Sequence, residues 1–475
     1  MALRPFKLRR ALWSAVLLAG LSLVWPAAQA SALTYGEEKE LGRQVFASIK
    51  KNMKLVEDQA ISTYVNDLGH KMLKAFGPQP FEFRFFVLQS DVINAFATPG
   101  GYIFIHSGLI NAMEREGQLA SIISHEISHV TSRHISERIA KGRSLSLATL
   151  GGVMAGIFLG GAAGQALMMG SVAGNMQMQL AYSRQDEREA DRKGLDNLVK
   201  AGYDPKFMVE AFEILLRNAW HASDNIPTYL TTHPGLSERI SSVENSVISH
   251  PGYQIVHGCG DDKTFQAIKT RVMALLADPK RAQNYFEAMR RKDPDNALAH
   301  YGLAMLYQQQ QDFDMAEREF RSALEADPAN PCILSDLGTM LFQKKDFSGA
   351  MSVLIRAVVL RPNMVQALYM LARTYEEQGL TDRAEKLYAR VLVQNPKHPD
   401  ALYRMGLIYG RRGDLARAHL HTGLYFQTQG QDKKALFHFK KAKEKAGSAP
   451  PPVKARIETA IRETQSKEKH KQDGF

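Results

Sequence analysis

From about Asp293 onward the chain repeats itself, and this constrains its fold more than any other feature. Leu303, Ala304, Tyr307, Ala316, Phe320, Ala323 and Pro328 return one repeat later as Leu337, Gly338, Ala350, Leu354, Ala357 and Pro362. They return again as Leu371, Ala372, Tyr375, Ala384, Tyr388 and Pro396. A period of roughly 34 residues is the length of one helix pair with its turns. Small residues let the two helices of a pair approach closely, and the aromatic positions fill the gap between neighbouring pairs. One pair cannot bury its own apolar face, so the sequence is committed to a stack with a continuous core and a concave side. A weaker unit precedes these three (Ala282, Phe286, Pro294). A compressed one follows (Met405, Gly406, Tyr409, then Gly423, Phe426, Ala435, Phe439, Ala442). The expected bounds are 265–447 for an all-α superhelix and 448–475 for a proline-marked, frayed polar tail.

These positions are those of the tetratricopeptide repeat, an architecture that binds proteins and carries no catalytic group of its own. The 475 residues, 45% of them hydrophobic, leave room for a second core. Residues 31–255 lack the repeat and mix signals. "FEFRFFVLQS" and "GGYIFIHSG" read as strands, and Glu116–Ala140 reads as one long helix, so this half is α+β. Residues 256–264 read as a linker. "YIFI" (102–105) is either an edge strand for an extended substrate or a core strand.

The first thirty residues combine a basic head, an apolar run and a small-residue exit, the pattern of a secretory signal cleaved after Ala30, and imply a periplasmic mature protein. The formal charge is +11, and removing Arg4, Lys7, Arg9 and Arg10 leaves 11 − 4 = +7. Acids alternate with the bases, so a nucleic-acid partner is not expected. The late run "KKALFHFKKAKEK" reads as a solvated helix face, with weak attraction to anionic lipid as the residual reading. Cys259 and Cys332 form either one bridge or two separate buried thiols.

The chemistry sits in "ISHEISHVTSRH" (123–134). His125 and His129 are four apart, so on a helix both imidazoles face one point, while Glu126 stands beside it, within reach of a metal-bound water. His134, nine positions from His125, falls on the other side of a continuous helix and should pair with a neighbour instead. Catalytic zinc takes three protein ligands and an open position. "SRQDEREADRKG" (183–194) offers Glu187, with Asp191 one turn later.

The combination of "HEISH", "SRQDEREAD" and the upstream "NAFATPGGYIFIHSGLI" resembles the gluzincin peptidases that include HtpX-like and CAAX-processing proteases, over about Gly36 to Ser246. That resemblance implies one Zn²⁺ per chain held by His125, His129 and Glu187, with Glu126 as general base and Asp191 fixing a ligand imidazole. With the export signal in front and the repeats behind, it implies an endopeptidase that acts on unfolded or misassembled outer-membrane proteins and docks on the barrel-assembly machinery through its repeats. A rival reading is a chaperone or adaptor whose peptidase site is latent.

Two features stay open. Between Arg143 and Arg184 no side chain is charged, so 144–183 is a mobile, Met-rich lid that packs over the site or touches lipid, a set of buried helices, or a membrane span. "TTHPGLSERI" places His233 and Arg239 after the third ligand. His233 is a satisfied loop histidine, a donor to the oxyanion, or a fourth zinc ligand that closes the open position. Arg239 is a salt-bridged structural residue or the oxyanion donor.

Overall fold

The computed structural model describes residues 33–141, 182–221 and 228–472. The expected signal segment and all but the last two residues of 144–183 lie outside them. Among the described residues no helix is long and apolar enough to cross a membrane. The chain divides into two compact units, with the main boundary at Gly260–Asp261 and the short stretch Asp58–Ile61 grouped with the second.

The first unit opens with α1 (Tyr35–Asn52) and α2 (Gln59–Ala75), followed by β1 (Arg84–Leu88), β2 (Ala95–Thr98) and β3 (Tyr102–His106). The sheet order is β1-β3-β2: β1 runs parallel to β3, and β2 runs antiparallel to it, Ala95 opposite Ile105 and Thr98 opposite Tyr102. Gly100 and Gly101, at φ of 78° and 85°, turn the β2–β3 connection through a backbone region that only glycine enters freely. Strand β3 is thus central and wholly buried. Both its edges are hydrogen-bonded, so "YIFI" is a core strand and not an edge open to substrate. Phe46, Phe86, Phe96, Tyr102 and Phe104 stack into one aromatic cluster with the sheet.

After α3 (Ser107–Ala112) comes α4 (Glu116–Thr131), in which every residue from Glu116 to Val130 is buried. A helix buried all round must be packed on all sides. Here β2 lies on one side, and α6 (Arg184–Lys200) and α7 (Lys206–His221) lie on the others. The long helix expected over Glu116–Ala140 breaks instead: Arg133 adopts φ 57°, and a separate α5 (His134–Lys141) starts in a new direction. Short α8 (Thr228–Thr232) and α9 (Leu236–Ser249) complete the unit. Residues expected to link the halves pack on it: the amide of Asp204 donates to the Gly258 carbonyl at 2.9 Å.

The second unit is all helix: α10 (Asp262–Leu276), α11 (Pro279–Lys292), α12 (Ala297–Gln309), α13 (Phe313–Ala326), α14 (Pro331–Gln343), α15 (Phe347–Leu360), α16 (Val365–Glu377), α17 (Thr381–Gln394), α18 (Pro399–Arg411), α19 (Leu415–Thr428), α20 (Asp432–Lys445) and α21 (Pro451–Gln472). The repeat is visible in the backbone. Gln311, Lys345, Gly379 and Gly413, equivalent positions in successive units, all take positive φ of 62° to 75° at the turn between paired helices. Asp312, Asp346 and Asp414 cap the helices that follow, each carboxylate accepting from a first-turn amide. Ala316, Phe320, Ala350, Leu354, Ala384 and Tyr388 are fully buried, as the repeat requires. The expected frayed tail is in fact α21, because Ile457, Ala460 and Thr464 bury themselves, the two apolar residues in a cluster with Leu420 and Phe439. Both cysteines are free thiols, Cys259 exposed and Cys332 buried.

Candidate metal centre

The site is assembled by two helices and a turn. α4 presents His125 and His129 one turn apart, their Nε2 atoms 3.0 Å from each other. α6 presents Glu187 from its first turn, where Ser183 and Asp186 form a reciprocal cap that fixes the start of the helix. Glu187 Oε1 lies 3.4 Å from His129 Nε2, and Oε2 lies 3.6 Å from His125 Nε2. The approach of α6 to α4 depends on Gly194: a β-carbon there would sit 3.3 Å from the backbone N and Cα of His125. The carbonyl of Gly194 also accepts a 2.8 Å hydrogen bond from Ser124 Oγ. The fourth side chain is His233, from the turn between α8 and α9, with Nδ1 3.0 Å from Glu187 Oε1 and 3.4 Å from His125 Nε2.

One ligand atom from each of His125, His129, Glu187 and His233 lies within 4.8 Å of the others, and all four residues are buried. Tetrahedral zinc at about 2.1 Å from its ligands separates them by about 3.4 Å. The closest distances between these donors, 3.0 to 3.6 Å, are of that size. Glu126 stands next to the group, wholly buried, and neither of its oxygens has a hydrogen-bond partner among the described residues. His233 Nε2 is 3.6 Å from its Oε1. Nitrogen and oxygen donors at this spacing suit zinc, and a free buried carboxylate beside them suits proton transfer.

Electrostatics follow from burial and from one arginine. Burial pushes the Glu126 carboxyl up from the usual range, against the pull of His233 and His125. Burial also opposes charge on Glu187, but His233 and Arg239 outweigh it and hold that carboxyl well below its ordinary value. The His129 imidazole is pushed well down by burial. Arg239 on α9 is buried between two carboxylates, with Nη1 2.5 Å from Glu187 Oε2 and Nη2 2.7 Å from Asp191 Oδ1. Asp191 in turn lies 3.0 Å from His125 Nδ1, the nitrogen facing away from the metal point. Arg239 is therefore committed to the two acids.

Three further side chains flank the site, of which Tyr182 and Tyr229 were not expected from the sequence. His134 Nδ1 lies 3.0 Å from His129 Nδ1, so it can orient the second imidazole as Asp191 can orient the first. As expected, His134 is not among the metal-facing residues and pairs with a neighbour instead; the helix break at Arg133 makes that neighbour His129. Tyr182 stacks on His129 at 3.7 Å between ring centroids, and Tyr229 stacks on His233 at 4.5 Å. Tyr229 precedes His233 by four residues, a spacing legible as a helical pair; nothing in the local pattern marks Tyr182. A cleft lined by Arg184, Arg188, Pro234 and Glu238 opens beside the His233 turn.

Comparison with known proteins agrees with this geometry. Residues 59–247 match the model of Peptidase family M48, and residues 276–334 and 341–408 match the tetratricopeptide repeat. The beta-barrel assembly-enhancing protease of Escherichia coli (strain K12) is 30% identical over 372 residues, covering 77% of this chain and 75% of that one. A putative beta-barrel assembly-enhancing protease of Vibrio cholerae is 31% identical over 308 residues, 63% of this chain and 62% of its own. The mitochondrial metalloendopeptidase OMA1 of Arabidopsis thaliana is 32% identical over 156 residues, 32% of this chain and 29% of its own. With a peptidase unit and a repeat unit matched in one continuous alignment, the chain belongs to the family of beta-barrel assembly-enhancing proteases, zinc-dependent metallopeptidases of family M48 that carry tetratricopeptide repeats.

Proposed function

We propose that this peptidase works in the periplasm on outer-membrane proteins, assisting β-barrel assembly and degrading barrels that misassemble, with its repeats docking on the assembly machinery. The carrying observation is that the likeness to the Escherichia coli relative spans both halves of the chain. Export by residues 1–30, with cleavage after Ala30, supplies the compartment, and amino-terminal sequencing of the periplasmic form tests it. Nothing favours the rival reading of a non-proteolytic chaperone, whose site would not need a buried carboxylate at Glu126.

In the peptidase reaction His125, His129 and Glu187 would hold the metal, with Asp191 fixing His125 through its outer nitrogen. Bound zinc supplies a Lewis acid and lowers the pKa of water to about 7. Glu126 takes the proton of the attacking water and hands it to the leaving amine. His233, on a short turn, would join these three in holding the metal in the resting enzyme.

Metal content and casein hydrolysis of purified protein test these roles. Glu126→Gln keeps zinc and loses hydrolysis, whereas His125→Ala and Glu187→Ala lose the metal itself. Turnover like wild type in Glu126→Gln ends the mechanism. His233→Ala raises hydrolysis at matched zinc occupancy and exposes the protein to self-cleavage. If His233 instead donates to the oxyanion, its loss lowers kcat by about 10²-fold or more. Crosslinking from residues 297–442 captures assembly proteins equally well in Glu126→Gln; deletion of the repeats without change in capture or substrate range refutes the docking role.

A further inference from the structure

Helix α20 carries the basic run of the repeat unit, and its two sides differ sharply. Ala435, Phe439 and Ala442 are buried and pack in one cluster with residues of α19 and α21. Outward stands Phe437, 57% exposed, among the largest exposures of any big apolar side chain described. At about 100° per residue, Lys433, Lys434, Lys440 and Lys441 lie within about 60° of it around the axis, and Lys445 within about 80°. Glu444 is the one acid on this side, and it is taken by Lys441 at 2.8 Å. Lys434 rests its ammonium 5.4 Å above the Phe426 ring. Lys433, Lys440 and Lys445 make no ion pair among the described residues.

This contrasts with other basic groups of the repeats. Lys344 is bonded to Asp314 and Glu317, Arg412 to Asp382 and Glu385, and Arg321 to Glu317. A solvated face accounts for lysines, which need only water. It does not account for an aromatic ring held 57% exposed at their centre, where its ring contact is with the adjacent His438, 5.3 Å between centroids.

We propose that this face of α20 docks on a bilayer surface bearing anionic phospholipid headgroups, with Phe437 entering the boundary between headgroups and acyl chains and Lys433, Lys434, Lys440 and Lys445 resting on phosphates. An apolar anchor ringed by unpaired cations is the pattern of peripheral membrane contact. The choice of lysine favours lipid over an acidic protein. Protein interfaces are depleted in lysine and enriched in arginine, tyrosine and tryptophan, whose rigid groups match fixed partners. Mobile point charges suit phosphates that diffuse in a plane. The inference is independent of the zinc chemistry and of the barrel-assembly reading.

The test is cosedimentation of the chain beginning at Ser31, so that the basic, apolar leader plays no part, with vesicles containing phosphatidylglycerol or phosphatidylcholine alone. Binding is expected only with phosphatidylglycerol and is weakened by salt. Each lysine near an anionic surface contributes roughly fivefold, so Lys433→Gln, Lys434→Gln and Lys440→Gln together lower the affinity by about a hundredfold. Phe437→Ser lowers it further, in a way that lower salt does not restore. Thermal midpoint and casein hydrolysis of both variants match the parent, which separates docking from folding. Equal binding to the two vesicle types, or a triple variant that binds like the parent, overturns the proposal. So does a face that binds polyglutamate and ignores vesicles.

Discussion

Replacing Arg239 by methionine tests how the site is held together before any metal arrives. The guanidinium is 3% exposed, bridges Glu187 and Asp191 at 2.5 to 2.8 Å, and lies 4.5 Å over the Phe212 ring. Methionine keeps the bulk of the stem, so the substitution removes the charge, the hydrogen bonds and the guanidinium's contact with the Phe212 ring with little change in volume. Two buried carboxylates are left facing each other, supported only by imidazoles. Removing one partner of a buried ion pair costs about 3–5 kcal/mol, most of it the desolvation of the charge left behind. For a unit of this size each kcal/mol moves the midpoint by about 2–4 °C, so the metal-free variant should unfold about 6–20 °C earlier. Zinc brings positive charge to the same Glu187, so the loss must shrink when metal is bound. Arg239→Lys, which restores charge but not the fork, should fall in between. Thermal unfolding followed by circular dichroism, with a chelator and with zinc, measures all three. A metal-free loss below about 1 kcal/mol, or an equal loss with and without zinc, refutes the claim that this arginine neutralises the two acids.

Other expectations follow from single residues. Burial pushes the His106 imidazole down to about 4 from 6.5, and neither ring nitrogen has a hydrogen bond among the described residues. The unfolded chain therefore takes up a proton below pH 6.5 that the folded one refuses until about pH 4, and stability falls as pH drops through that window by at most about 3 kcal/mol. His106→Leu should flatten the acid limb of urea midpoints; an unchanged slope rules the residue out as its source. Gly194→Val should push α6 off the His125 backbone and cut zinc affinity by about tenfold or more while helix content stays the same; unaltered affinity means the helices can part without cost to the ligands. Cys259 should react with a thiol reagent in the native protein, whereas Cys332, buried and pushed up to about 11, should react only after unfolding. A Cys259–Cys332 disulfide in oxidised protein contradicts this.

What the amino-acid order determined by itself was local and periodic. Two histidines four apart share a helix face whatever surrounds the helix, and so do Glu187 and Asp191; the repeat positions impose paired helices because no other arrangement buries them. These depend on bonds and contacts within a turn or two. Tertiary structure decided whatever rested on a single backbone angle or on a distant partner. The left-handed residue Arg133 ended α4 and turned His134 back onto His129. Pairing on both sides made "YIFI" a central strand, since hydrogen-bond neighbours come from elsewhere in the chain. Arg239 became the clasp of Glu187 and Asp191 across about fifty residues of sequence. The last segment reads as polar, yet it is helical because Ile457 and Ala460 find Leu420 and Phe439 to bury against, a partnership no local pattern contains.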